Sequence, residues 1–249
     1  MQTAEHVAMG FGAQVDTLRD MKIVLTNDDG FGAPGLEALT AAAQGLGHLT
    51  VIAPHTALSG CSHRVTTDSP LRFSTRGPDA HSVEGTPADC VRVALHRLVP
   101  EFDWVLSGIN SGGNLGADVY YSGTVAAARE AVLHGRPAIA LSHYRRRAVP
   151  VDWMRAAAWI APLLAKLMKS PWSAGLMWNI NLPHLDPGAP DPAIVFCGLD
   201  PSPLPLSYRH EEHDLLHYDG NYHLRQRVPD KDVALCLSGN ITVTELRLY

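Results

Sequence analysis

Two adjacent carboxylates, Asp28 and Asp29, lie between Asn27 and Gly30, directly after the short apolar run 22–26. Side by side behind a buried strand they repel one another unless a cation or hydrogen-bond donors offset the charge. A helix-capping Asp beside a turn Asp explains the pair without a ligand. The chemical alternative is a divalent metal site, because hard cations such as Mg²⁺ and Mn²⁺ select oxygen ligands.

A second loop, 53–63, carries Ser59 beside Gly60 and ends at His63. A hydroxyl next to a residue without a Cβ can approach a ligand or metal closely, although a plain turn serine has the same sequence. His63 could orient a phosphate or donate a proton. The third segment, 107–116, holds four glycines and two asparagines in ten residues. Ordering it is costly in entropy unless it wraps something. Asn110 offers a neutral oxygen ligand, and Asn114 can donate or accept.

The same connection ends in Tyr121-Ser122-Gly123-Thr124. At a helix start, free N–H groups and the helix dipole attract anions, whereas a simple Thr N-cap is the plainer reading. This segment is neither a Gly-Lys-Ser/Thr phosphate loop nor a dinucleotide fingerprint. No GxSxG elbow supports a serine hydrolase, and His210, His213, His217 and His223 form no HExxH zinc motif. Taken together, the loops suggest an oxygen-ligand metal cradle beside a phosphate-sized anion site, hence metal-assisted phosphoester chemistry.

Such loops need a scaffold. Residues 22–26 and 49–53 read as strands flanking a helix over 36–46, the repeating unit of a parallel sheet. Thr86-Pro87 starts a helix continuing to Leu98, 104–106 is a strand, and the glycine-rich loop spans 107–123. A helix over 124–134, strands over 137–141 and 178–182, and a buried helix over 153–169 complete the body. Beyond Pro183 the chain is dense in proline and runs extended over the surface. A hairpin over 206–227 should turn at Asp219-Gly220-Asn221, followed by a helix over 232–237 and a strand over 241–246. The expected architecture is one α/β domain: a possible tail over 1–20, a catalytic body over 21–182, and an arm with a C-terminal return over 183–249.

Composition bounds the partners. The 249 residues carry 20 basic and 25 acidic side chains, a net charge of −5, and 46% hydrophobic residues. That excludes disorder and argues against a nucleic acid polymer, which selects dense Lys/Arg surfaces. The cluster Arg145-Arg146-Arg147 is short and reads as a solvated loop. The stretch 153–168 is interrupted by Arg155, Pro162 and Lys166, so no membrane span is expected. Residues 1–20 lack a signal-peptide pattern, and Cys61, Cys90, Cys197 and Cys236 show no CxxC pairing, so reduced thiols in a cytoplasmic protein are expected.

Five ordered motifs resemble one known family. They are Asn27-Asp28-Asp29-Gly30 with Ala33-Pro34-Gly35; Ala53-Pro54 with Ser59-Gly60; Gly85-Thr86-Pro87-Ala88-Asp89-Cys90-Val91; Ser107-Gly108-Ile109-Asn110 with Gly113-Asn114-Leu115-Gly116; and Tyr121-Ser122-Gly123-Thr124-Val125 with Ala127, Ala128 and Glu130. This set is similar to the SurE family of stationary-phase survival proteins, which act as 5′/3′-nucleotidases. The match covers roughly 21–142 and continues loosely through Asp230, Asp232 and the segment 239–244. The resemblance implies a three-layer α/β/α fold with a mostly parallel sheet and hydrolysis of nucleoside monophosphates with one Mg²⁺ or Mn²⁺ per subunit. It places metal ligands on Asp28, Asp29, Ser59 and Asn110, and phosphate contacts on Asn114, Ser122, Gly123 and Thr124. One of the two Asp carboxylates, or a metal-activated water, would act as base or nucleophile. It further implies a homodimer or homotetramer with an exchanged C-terminal arm. A phosphatase of another small phosphoester or short polyphosphate, and a non-catalytic nucleotide-binding relative, are the alternatives.

Overall fold

The computed structural model describes residues 20–146, 149–212 and 214–249; the expected tail, Arg147 and His213 lie outside them, except Asp20. In chain order the elements are β1 (Lys22–Thr26), α1 (Pro34–Ala43), β2 (His48–Pro54), β3 (Phe73–Gly77), β4 (Ala80–Val83), α2 (Pro87–Val93), β5 (Trp104–Asn110), α3 (Gly123–Leu133), β6 (Ala138–His143), α4 (Trp153–Lys169), β7 (Leu176–Leu182), β8 (Ile194–Phe196), β9 (Tyr208–His210), β10 (Leu216–Tyr218), α5 (Asp232–Leu237) and β11 (Ile241–Arg247).

Nine strands form one sheet in the order β3-β4-β2-β1-β5-β6-β7-β11-β8. The strands from β4 to β7 are parallel, β3 and β11 run against their neighbours β4 and β7, and β8 runs parallel to β11. β1 shows why the body is layered. Its alternation sends Ile23 and Leu25 into a core with α1 and α4, and Val24 into a second core with α2 and α3. A strand buried on both faces has no use for a polar side, so it reads as a continuous apolar run. The result is the expected three-layer α/β/α arrangement. β1 pairs with β2 on one side and β5 on the other, so the chain reverses its direction of progress across the sheet at β1. Crevices at the carboxyl ends of strands around such a point receive ligands.

Several elements differ from expectation. α4 is not buried all round: Ala156, Ala157, Ile160, Leu163, Leu164, Leu167 and Met168 are buried, while Met154, Pro162 and Lys166 face outward. Its apolar residues recur at three- and four-residue spacing, which buries one stripe only. α2 ends at Val93 and gives way to a π-helical turn over Ala94–Leu98. β5 runs on to Asn110, and a 3₁₀ turn, Gly116–Tyr120, stands inside the glycine-rich segment. The hairpin β3–β4 and the short edge strand β8 have no strong pattern in the sequence, since β3 is largely solvent-exposed and β8 has three residues.

The arm hairpin is β9–β10, but its turn is not at Asp219-Gly220-Asn221. Tyr208 pairs with Tyr218 and His210 with Leu216, so the turn falls between Glu211 and Leu215. The edge-to-face contact of the Tyr208 and Tyr218 rings (5.5 Å between centroids, 75° between planes) supports that register. Asp219 to Asn221 instead leads into a 3₁₀ turn at Tyr222–Leu224. All four cysteines are free. Among the described residues no helix is long and apolar enough to cross a membrane.

Candidate active site

Asp28 and Asp29 follow β1 directly, Ser59 lies in the loop after β2, and Asn110 is the last residue of β5. Three parallel strand ends therefore deliver all four residues to one edge of the sheet. Cross-links hold the loops together: Leu58 N–H donates to the Asp28 carbonyl (2.8 Å), and Ser111 N–H donates to Asp29 Oδ2 (2.9 Å). Two glycines permit the close approach. A Cβ on Gly35 would stand 1.9 Å from the Ile109 carbonyl oxygen, and one on Gly123 would stand 3.0 Å from Asp28 Cβ. The first lets α1 press on the end of β5; the second lets α3 begin against Asp28.

The electrostatics follow from burial. Asp28 is 4% exposed. Desolvation pushes its carboxyl up to about 6, Asp29 adds like-charge repulsion, and the Thr124 hydroxyl hydrogen bond pulls the other way. Asp29 is also raised by burial, against the Ser111 amide and the Arg145 guanidinium, which favour its charged form.

The donor set fits a hard divalent cation. Asp28 Oδ1 accepts from Thr124 Oγ1, Asp29 Oδ2 accepts from Ser111, and Asn110 Nδ2 donates to the Gly112 carbonyl (2.8 Å). Each hydrogen bond fixes its side chain while leaving Asp28 Oδ2, Asp29 Oδ1 and Asn110 Oδ1 available. Ser59 is exposed and adds a hydroxyl. Among the described residues no group of three or more His, Cys, Asp or Glu is placed to hold a metal ion. The four oxygens suit Mg²⁺ or Mn²⁺.

The helix start beside them is α3. Ser122 caps it, its Oγ accepting from Val125 N–H (3.0 Å), and the serine proton stays available to donate. The Thr124 hydroxyl goes to Asp28, so its expected contact with an anion is restricted to the backbone. Gly123 and Thr124 N–H groups remain at the first turn, where an anion is stabilised. Asn114 is buried, and its backbone N–H donates to Asn181 Oδ1 (2.8 Å) while its Nδ2 donates to Ser142 Oγ (2.7 Å). Its carbonyl accepts from Asn179 and Asn181. Asn114 thus stitches the glycine-rich segment to β6 and β7.

His63 does not stand free. Its Nε2 lies 2.7 Å from Glu130 Oε2, and Glu130 also receives Arg92 (2.5 Å) and His134 (3.1 Å). Burial would raise the Glu130 carboxyl, but the hydrogen bonds of His63, Arg92 and His134 hold it down at about 2. The Ser59–His63 loop is thereby tied to α3 and α2. Two features escaped the sequence. Arg145, read as part of a solvated cluster, donates to Ser111 Oγ (2.9 Å) and bears on Asp29. Asp118 accepts from Leu115 N–H, Tyr222 Oη and the fully buried Arg225, which latches the arm's return to the 3₁₀ turn. These partners are about a hundred residues apart, so no local pattern announces them.

Comparison with known proteins supports the same frame. The family model "Survival protein SurE" matches residues 23–197. The chain is 47% identical over 228 residues to the Nostoc sp. (strain PCC 7120) protein named "Putative 5'-nucleotidase alr3139", covering 92% of this chain and 100% of that one. It is 37% identical over 237 residues to 5'-nucleotidase SurE of Moorella thermoacetica, covering 92% and 90% of the two chains. The crystal structure of the SurE protein from Aquifex aeolicus superposes with a TM-score of 0.78 at 30% identity, over 92% of this chain and 94% of that one. With a family model matching most of its length, relatives of this identity and a superposing fold, the chain belongs to the SurE family.

Proposed function

We propose that this protein is a metal-dependent phosphomonoesterase that hydrolyses nucleoside 5′-monophosphates, with 3′-monophosphates as further substrates, to nucleoside and phosphate. The observation that carries the reading is the pairing of a four-oxygen cradle with the start of α3, both built on the strand ends around β1. Relatives named as 5'-nucleotidases at 37–47% identity support the substrate class.

Asp28, Asp29, Ser59 and Asn110 would hold Mg²⁺ or Mn²⁺, which when bound supplies Lewis-acid stabilisation of charge on the phosphoryl oxygens. The chain's own groups do the rest. Gly123 and Thr124 N–H and the Ser122 hydroxyl face the transferring group from the helix start, where donors already fixed in place favour developing negative charge. The Thr124 hydroxyl keeps Asp28 in one orientation. Arg145, held by Ser111, adds positive potential beside Asp29. Asn114 keeps the loop between Asn110 and α3 in register through β6 and β7.

The test is phosphate release from a panel of nucleoside 5′- and 3′-monophosphates, sugar phosphates and short polyphosphate, each with Mn²⁺ and with EDTA. EDTA-sensitive release that is fastest from a nucleoside monophosphate supports the proposal. Preference for a sugar phosphate or polyphosphate transfers it to another phosphoester, and no metal-dependent release from any compound overturns it.

A further inference from the structure

Two consecutive arginines after β6 serve different places. Arg145 donates to Ser111 Oγ beside the carboxylates, whereas Arg146 ion-pairs with Asp186 in the loop after β7. Arg146 lines a cavity of about 350 Å³, walled by the segments after β6 and β7, the chain that follows the arm, and the end of α5. Arg146, Arg227, His184 and His223 line it against one carboxylate, Asp186. From this geometry we infer that the cavity is a second oxyanion site, which takes a phosphate group other than the one being hydrolysed. It goes beyond the proposed hydrolysis, because the anion is held away from the cradle.

Its place in the sheet suits a ligand. β6 and β7 run parallel to β1 and β5, so their carboxyl ends open on the same edge as the cradle. Two strand spacings separate β5 from β7, about 10 Å, too far for one phosphate to touch both sites and short enough for two phosphates of one molecule. The donors suit an oxyanion. The planar fork of arginine matches phosphate with paired, charge-assisted hydrogen bonds. Arg146 and Arg227 bear on the same wall: burial raises the Tyr144 hydroxyl, and the positive charge of both guanidiniums opposes that rise. Arg146 Nε is buried and has no hydrogen-bond partner among the described residues. A buried donor left unpaired is costly, and an oxyanion in the cavity would satisfy it.

The histidines add neutral donors. His184 Nδ1 accepts from the Arg146 N–H (3.1 Å), which leaves the ring proton on Nε2. Burial lowers the titration of His184, and Arg146 and Arg145 push it the same way, so the ring is uncharged at neutral pH. His223 engages Tyr144 Oη through Nδ1 (2.6 Å), which keeps Nε2 for a ligand. Asp186 does not cancel the arginines. Its side chain is 74% exposed, so water screens its pairing with Arg146. The volume lies at the low end for small-molecule pockets and admits a phosphate with part of the group that carries it.

The test measures binding without turnover, so it stands apart from the hydrolase reading. Inorganic phosphate is titrated by calorimetry into the full-length protein, stripped of metal and dialysed free of chelator. The wild type should bind phosphate. Arg227→Glu, at an exposed residue, and Arg146→Gln should each weaken binding by at least about ten-fold with an unchanged melting curve. With Mn²⁺ added, both variants should release phosphate from p-nitrophenyl phosphate within about two-fold of the wild-type rate. No phosphate binding by the wild type, or unchanged affinity in both variants, overturns the second site, since phosphate held at the start of α3 would not respond to either change. A loss of turnover equal to the loss of affinity would merge the cavity with the hydrolytic site and also overturn it. The source of the phosphate is read from adenosine 3′,5′-bisphosphate. A wild-type kcat/KM at least about five-fold above that for adenosine 5′-monophosphate, lost in Arg227→Glu, assigns the site to a second phosphate on the substrate. Equal values for the two compounds, with the phosphate affinity as expected, assign it to free phosphate.

Discussion

Three of the four side chains in the proposed cradle divide their polar atoms between two tasks. Asp28, Asp29 and Asn110 each use one polar atom on a neighbour in the fold, which leaves an oxygen for the proposed metal. Their meeting at one end of the sheet was legible in the sequence, because each lies just after, or ends, a strand whose apolar run is plain. Arg145 and Arg225 were not legible, because a charged residue declares nothing about a partner that only folding brings near. Glu130 shows what a single buried charge can hold. Its carboxyl sits at about 2 in the folded protein, below the ordinary 4.5. The folded state therefore favours the charged form, a stability contribution present above pH about 4.5 and lost as pH falls through about 2. Glu130→Gln should lower stability at neutral pH by about 2 kcal/mol and flatten the acid limb of the stability–pH curve. Urea melts of both proteins from pH 7 to pH 3 check this; parallel curves would remove Glu130 from the acid response.

Among the elements, α2 and α3 hold the loops that carry the site. The capping box at the start of α2 is more than a cap. Asp89 accepts from Thr86 N–H (2.9 Å), Thr66 N–H (2.8 Å) and Thr66 Oγ1 (2.8 Å), and Thr86 Oγ1 donates to the Arg64 carbonyl (2.6 Å). The chain leaving the Ser59–His63 loop is thereby pinned to a helix start. Asp89→Ala should cost about 2–3 kcal/mol, more than the roughly 1 kcal/mol of an ordinary cap. It should also raise the Mn²⁺ concentration needed for half-maximal activity, because Ser59 loses its anchor; a stability loss with no change in metal dependence would contradict the linkage. The helices and central strands were legible through Thr86-Pro87, Ser122-Gly123 and the apolar runs. The boundaries that failed have physical causes. β3 is largely exposed with one apolar residue in five, and Asp-Gly-Asn lost the hairpin turn to the register that pairs Tyr208 with Tyr218.

For the whole molecule, the arm is the unfinished part. Leu206 is 90% exposed and Leu224 78%, and Ile194 and Phe196 on the edge strand β8 are also open to solvent. Large apolar side chains left exposed on the arm and on a sheet edge suit an interface. A second copy of the chain is the proposed cover, as a homodimer or homotetramer, which agrees with the arm exchange implied by the family resemblance. Light scattering coupled to size exclusion should give a multiple of the 26.9 kDa chain mass, and Leu206→Asp with Leu224→Asp should shift it toward the monomer. A wild type that elutes as a monomer at micromolar concentration would contradict the assembly. Net charge said little at this scale: an acidic chain can still bind phosphate, because a cation and a helix start supply positive potential locally.

The central claim is that the oxygens after β1, β2 and β5 hold the metal that hydrolysis requires. Its most direct test is the rate of phosphate release from adenosine 5′-monophosphate by Asp29→Asn beside the wild type, over a Mn²⁺ titration. The substitution keeps the shape of the side chain and the oxygen that accepts from Ser111, and removes the charge. The account predicts a loss of at least about a hundred-fold in kcat/KM at every Mn²⁺ concentration, with an unchanged circular dichroism spectrum. Wild-type rates in Asp29→Asn once Mn²⁺ is added would contradict it.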